Sequence, residues 1–117
     1  MADIRKQIKK GLIEIAVLSL LLEKDMYGYI IIQDINSYSN GVFILKEGTL
    51  YPVLYRLEDN NLIRSYWINE DERSKPKKYY NITEKGKKMY LEMIQDYESI
   101  NQGLNSILYR ENVKGEQ

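Results

Sequence analysis

Neither cysteine nor histidine occurs anywhere in this chain of 117 residues. Without cysteine there is no disulfide, no thiolate nucleophile and no Cys-ligated zinc or iron–sulfur centre. Without histidine the usual general base and the commonest metal ligand are missing, which excludes hydrolytic triads and His-containing metal sites. Carboxylates remain, but Glu47, Glu58 and the acids at 70–72 suggest no catalytic pair, so a binding protein without cofactor is expected rather than an enzyme. Proline is scarce, with two residues, and no Pro- or Gly/Ser-rich stretch could serve as a linker. No internal repeat is present, and the length suits one compact unit. Long apolar runs are also lacking. Leu12 to Leu22, interrupted by Glu14 and Ser19, is too short to span a bilayer. Glu23-Lys24-Asp25 stands where a signal peptide would need small residues for cleavage. The stretch reads as a core helix of a cytoplasmic protein with no membrane partner.

Tyrosine is abundant, with 11 residues against one Trp and one Phe. Its apolar ring and polar tip suit surfaces that are half buried or that meet a partner. The formal net charge of zero hides segregation. Residues 1–10 and 46–90 each carry a net +3, and residues 11–45 and 91–117 each carry a net −3. A polyanion responds to local potential, so the two basic segments can form one binding face.

Ile4, Ile8, Leu12, Ile15, Leu18 and Leu22 recur at helical spacing and predict one continuous first helix. With Ile13, Val17, Leu20 and Leu21 added, its second half should be buried almost all round, Ile15 and Leu18 lying in the core. A second helix is expected over Tyr27–Ser37, with Ile30, Ile31 and Ile35 inward, before a polar turn at Ser37–Gly41. A third helix opens at Gly48-Thr49, with Pro52 near its first turn, where a missing N–H matters least. On a helical wheel Leu50, Val53, Leu54 and Leu57 share the core face. Gly48, Thr49, Pro52, Tyr55, Arg56 and Asp59 lie opposite, with Tyr51 at the flank. Asp59-Asn60-Asn61 should stop the helix, because Asn tolerates the left-handed conformation.

Two runs rich in β-formers follow, Leu62–Ile68 and Lys78–Ile82, joined by a charged loop over residues 69–77: a β-hairpin. Four of the six residues from Arg73 to Lys78 are basic. Thr83 is an N-cap candidate for a long last helix with Glu84 in its first turn. Met93, Tyr97, Ile100, Leu104 and Ile107 form a heptad-like seam there, more apolar surface than so small a domain can cover, which predicts pairing with a second copy. Val113 to Gln117 should fray. Three helices and a hairpin make a mainly α (α+β) fold, a winged helix-turn-helix with a two-stranded wing and a long C-terminal dimerisation helix. The expected division is a DNA-binding unit over residues 1–82 and a dimerisation helix with its tail over 83–117.

The run Glu47-Gly48-Thr49-Leu50-Tyr51-Pro52-Val53-Leu54-Tyr55-Arg56-Leu57-Glu58 resembles the third-helix signature of the PadR family of bacterial transcriptional regulators. Met26-Tyr27-Gly28-Tyr29, Lys78-Tyr79-Tyr80 and Ile82-Thr83-Glu84-Lys85-Gly86 agree with the same family in the same order. The short length and single C-terminal helix resemble its compact subfamily. The resemblance implies a homodimeric winged-helix repressor of double-stranded operator DNA, released by a small molecule or another cue.

On that reading Thr49, Tyr51, Pro52, Tyr55 and Arg56 would meet DNA: Thr49 at a phosphate, Tyr55 and Arg56 at base edges or phosphates, Pro52 against a thymine methyl or shaping the helix start. Arg73, Lys75, Lys77 and Lys78 would neutralise phosphates or enter the minor groove, and Arg5, Lys6, Lys9 and Lys10 could add backbone contacts. Glu70, Asp71 and Glu72 would repel DNA from the start of the loop. Some relatives bind flat aromatic compounds at the dimer interface. The corresponding candidates here for a small aromatic or phenolic effector, or for plain dimer packing, are Met89, Tyr90, Met93, Tyr97, Ile100 and Leu104, with Ile8 or Leu12 from the first helix. Trp67, the only Trp, falls in the wing. The alternative function is a winged-helix adaptor that contacts proteins and not DNA.

Overall fold

The computed structural model describes the backbone of residues 4–111 and the side chains of residues 7–111. The tail from Val113, where fraying was expected, and the side chains of Arg5 and Lys6 lie outside these. The chain runs α1 (Ile4–Lys9), α2 (Leu12–Glu23), β1 (Met26–Tyr27), α3 (Gly28–Tyr38), α4 (Glu47–Asp59), β2 (Ile63–Ile68), β3 (Lys77–Ile82) and α5 (Glu84–Leu108).

The expected single first helix is two. The apolar spacing continues through Gly11, but Gly11 adopts φ 87°, a left-handed conformation that interrupts the helical ladder. In α2, Val17, Leu18 and Leu21 are buried, whereas Ile15 is only half-buried and Leu22 is 41% exposed. The second half of α2 is therefore not covered on all sides, and Ile15 stands outside the core.

The core lies between α2, α3, α4 and the inner face of the sheet. It joins Val17, Leu18, Leu21, Ile31 and Ile35 to Leu50, Val53, Leu54, Leu57, Ile63, Tyr80 and Ile82. All four residues assigned to the inner face of α4 are buried. That helix begins at Glu47, so Pro52 falls in its second turn and removes the N–H that would reach the Gly48 carbonyl. Gly48 is exposed, which leaves this carbonyl open to solvent. At the other end Asn61 takes φ 62°, and the N–H groups of Asn61 and Leu62 donate to the carbonyls of Glu58 and Leu57, both at 2.9 Å. This Schellman arrangement satisfies the last carbonyls and turns the chain into the wing.

To the expected two-stranded hairpin the fold adds a third strand. β1 pairs antiparallel with β3, Met26 opposite Tyr80 and Tyr27 opposite Tyr79, giving the order β1-β3-β2. Two residues are too few to show strand alternation in sequence, and β1 exists because β3 offers it a partner. On the outer face Tyr79 lies between Tyr27 and Tyr66, ring centroids 5.3 and 5.9 Å away. The Tyr66 hydroxyl donates to Asp25, which raises the phenol's pKa, and Asn81 donates to the same carboxylate at 2.8 Å. One acid thereby fastens the α2–β1 link to β2 and β3.

α5 starts as expected: the Thr83 hydroxyl accepts from the Gly86 N–H at 2.9 Å. Gly86 is buried against the Leu62 carbonyl and the Ile82 side chain, leaving no room for a β-carbon. Met89, Tyr90 and Met93 pack against the core, and beyond them α5 leaves the domain. The molecule reaches 71 Å along its longest axis and 31 Å and 25 Å across.

Candidate nucleic-acid interface

α3 and α4 form the helix-turn-helix, and the amphipathic pattern of α4 sets which of its side chains face out. Thr49, Tyr51, Pro52, Tyr55 and Arg56 are all exposed, Tyr55 by 72% and Tyr51 by 44%. Tyr51 is the most enclosed of the tyrosines on this face, because its phenol folds back over Gly28 at the start of α3.

Arg56 points away from its neighbours on the wheel. Its guanidinium donates to the Glu14 carboxylate of α2 at 3.1 Å, with 56% of the Arg side chain still exposed. The Arg56 guanidinium, expected to reach base edges or phosphates, is thus held at the flank of α4. Among the described residues, the remaining outward side chains of α4 from Thr49 to Tyr55 carry no formal charge.

The wing brings Lys78 to the same side. In the β2–β3 register Trp67 lies opposite Lys78, and strand alternation puts both on the face of Ser65 and Tyr80, the face that packs on α4. The Lys78 ammonium sits 5.9 Å from the Trp67 ring centroid and 5.8 Å from that of Tyr80. Lys77 is on the other face, 3.2 Å from Glu70 and 5.3 Å from the Tyr27 ring, and its hydrogen bond to Glu70 raises its pKa. Arg73 and Lys75 are exposed and in no ion pair among the described residues. Two of the three acids expected to repel DNA have local duties. Asp71 accepts from the N–H groups of Ser74 and Arg73 at 2.7 and 2.8 Å, which shapes the loop and lowers its pKa, while Glu70 holds Lys77.

Between α4 and β3 runs an open groove of about 500 Å³, lined by Tyr51, Pro52, Tyr55, Glu58, Lys78 and Tyr80. Glu58 at its inner end is held by the Ser65 hydroxyl at 2.6 Å, a bond that ties the end of α4 to the wing. Tyr80 is buried, and its pKa is pushed up to about 12, first by desolvation and then by the nearby Tyr51 and Glu58. Sequence reasoning missed Trp67, Glu58 and Tyr80 here. The parity of residues 65, 67, 78 and 80 along two paired strands was the available signal. From the N-terminal group, Lys10 is exposed, whereas Lys9 reaches the Val42 carbonyl at 2.5 Å and lies over the Phe43 ring.

The residues expected at a dimer or effector site divide in two. Met89, Tyr90 and Met93 are half-buried against the chain's own core, and Leu12 is half-buried on α2. Tyr97, Ile100 and Leu104 are exposed by 42, 69 and 49%, continuing to Ile107 at 59%, and Ile8 on α1 is 69% exposed. Among the described residues no group of His, Cys, Asp or Glu could hold a metal ion, and no helix is long and apolar enough to cross a membrane.

Residues 17–92 match the family model described as the transcriptional regulator PadR-like family. A transcriptional regulator from Clostridium thermocellum superposes with a TM-score of 0.81 at 33% identity, over 90% of this chain and 99% of that one. A PadR family transcription regulator from Clostridium difficile is 40% identical with a TM-score of 0.73, over 84% of this chain and 99% of the other. An uncharacterised protein of Lysinibacillus sphaericus is 38% identical over 97 residues, which is 83% of this chain and 88% of that protein.

Proposed function

The chain belongs to the PadR-like family of transcriptional regulators, and we propose that it acts in the cytoplasm as a homodimer that binds double-stranded operator DNA and represses transcription. The observation that carries this reading is the two-sided α4. Leu50, Val53, Leu54 and Leu57 anchor one face in the core, while Thr49, Tyr51, Pro52 and Tyr55 stand exposed on the other beside the wing's Lys78. Such a helix enters the major groove, with its exposed N-terminal turn and Thr49 against a phosphate. Arg73, Lys75 and Lys78 of the wing meet the flanking backbone, while Glu14 and Glu70 cancel most of the positive potential of Arg56 and Lys77 until those ion pairs open onto phosphates.

The exposed seam Tyr97, Ile100, Leu104 and Ile107 supplies the dimer contact, so that residues 1–82 read DNA and residues 83–117 join the copies. A two-fold dimer places half-sites about one helical turn apart, roughly 34 Å. Relief of repression by a small aromatic or phenolic molecule is the finest part of the reading. Tyr97 is the side chain left for such a molecule to stack on, because Met89, Tyr90 and Met93 pack on the core.

The experiment is selection of bound fragments from a random duplex pool, followed by titration at several salt concentrations. A palindromic preference with affinity falling steeply with salt supports the reading. Absence of salt-dependent binding to any duplex replaces it with a protein-binding adaptor. Trp67, the chain's single tryptophan, lies on the sheet face that packs on α4, so its fluorescence should report binding there.

A further inference from the structure

We propose that the groove between α4 and β3 is the sequence-reading element and that it reads the 5-methyl group of thymine. The inference rests on the DNA-binding reading above and deepens it. Three observations converge. Arg56, the side chain of α4 best suited to a bidentate guanine contact, is paired with Glu14 on another helix. The side chains left along the outward face, Thr49, Pro52 and Tyr55, present a methyl group, a pyrrolidine ring and a phenol. The groove beside them has walls of Tyr51, Pro52 and Tyr55 and a floor of Tyr80. Surfaces of that kind discriminate bases by apolar contact, and in the major groove thymine alone offers a methyl.

Charge fixes the orientation of the occupant. Glu58, held by Ser65 at 2.6 Å, puts a carboxylate at the inner end, which excludes a phosphate there. Lys78 at the β3 side supplies a cation. An occupant with a neutral apolar edge inward and an anionic edge at Lys78 matches both, and a thymidine with its adjoining phosphodiester has that polarity.

The test uses the full chain and duplexes recovered from a random pool. Each thymine is replaced in turn by deoxyuracil, which lacks only the methyl. At one or two positions per half-site, binding is expected to weaken about fourfold, the effect of one buried methyl. Tyr55 is exposed, so Tyr55→Ala leaves the fold intact, as a thermal midpoint checks. In that variant thymine and deoxyuracil become equivalent at those positions. If the variant still distinguishes them, the methyl acts through DNA shape and the proposal fails. Normal binding with deoxyuracil tolerated at every position also overturns it, while leaving operator binding in place. A chain that binds no duplex overturns both.

Discussion

The phenol of Tyr51, on α4, occupies the space that a β-carbon on Gly28 would need at the start of α3. The two helices of the helix-turn-helix are therefore keyed to each other by an absent side chain. Gly28→Ala should cost about 1 kcal/mol, the low end of overpacking because the half-exposed Tyr51 ring can swing aside, and should weaken operator binding by pushing Tyr51 outward. Tyr51→Phe in the same chain removes the closest atom and should recover part of the stability. A double-mutant cycle by chemical denaturation measures the coupling, and simple additivity of the two changes contradicts it.

The Arg56–Glu14 pair restrains a cation at the flank of the exposed face of α4. Glu14→Gln should release it, raising affinity for duplexes irrespective of sequence and steepening the salt dependence by about one counterion. The pair is largely solvated, so stability should change by less than about 1 kcal/mol. Anisotropy titrations at several salt concentrations check the slope, and an unchanged slope shows that Arg56 stays away from the phosphates.

Gly86 and Thr83 set where α5 leaves the wing. A β-carbon at Gly86 meets the Leu62 carbonyl, part of the backbone, and so cannot be relieved by a rotamer change. Gly86→Ala should cost about 1–3 kcal/mol, and Thr83→Ala, which removes the cap, about 1 kcal/mol. Thermal unfolding followed by circular dichroism orders the two.

Tyr80 links stability to alkaline pH. Its pKa is pushed from 10.0 in the unfolded chain to about 12 in the fold. A raised value favours the protonated phenol in the folded state, so the contribution is complete below pH 10 and disappears as pH rises through 12. Roughly 2–3 kcal/mol is at stake for a shift of this size. The stability of Tyr80→Phe, measured by denaturant unfolding between pH 8 and 12, should fall less steeply than that of the parent. Parallel curves count against the assignment.

The exposed seam of α5 predicts a concentration-dependent assembly. Ile100→Asp with Leu104→Asp should leave the winged domain's unfolding transition nearly unchanged, since neither side chain touches the core. Each buried aliphatic side chain is worth about 1.5–3 kcal/mol, so dimerisation should weaken at least about a hundredfold. Sedimentation velocity measures it, and an unaltered dimer places the contact elsewhere.

Periodicity and local chemistry in the sequence determined what each element does by itself. The spacing of Leu50, Val53, Leu54 and Leu57 set the buried face of α4, Asn61 its end, Thr83 the start of α5, and two β-rich runs around a charged loop gave the wing. Those signals are local, because side chains three and four apart on a helix, or two apart on a strand, share a face whatever lies opposite.

What the tertiary structure alone decided depends on groups far apart along the chain. The third strand of two residues required β3 as its template. Arg56 looks outward on a wheel yet pairs with a carboxylate 42 positions away. A single apolar seam on α5 splits into Met93, spent on the core, and Tyr97 onward, left exposed, because the small domain ends beneath it. Gly11 breaks a helical pattern that the apolar residues continue, through a backbone angle that spacing does not record. A pattern states which face seeks a partner; packing between distant segments supplies one.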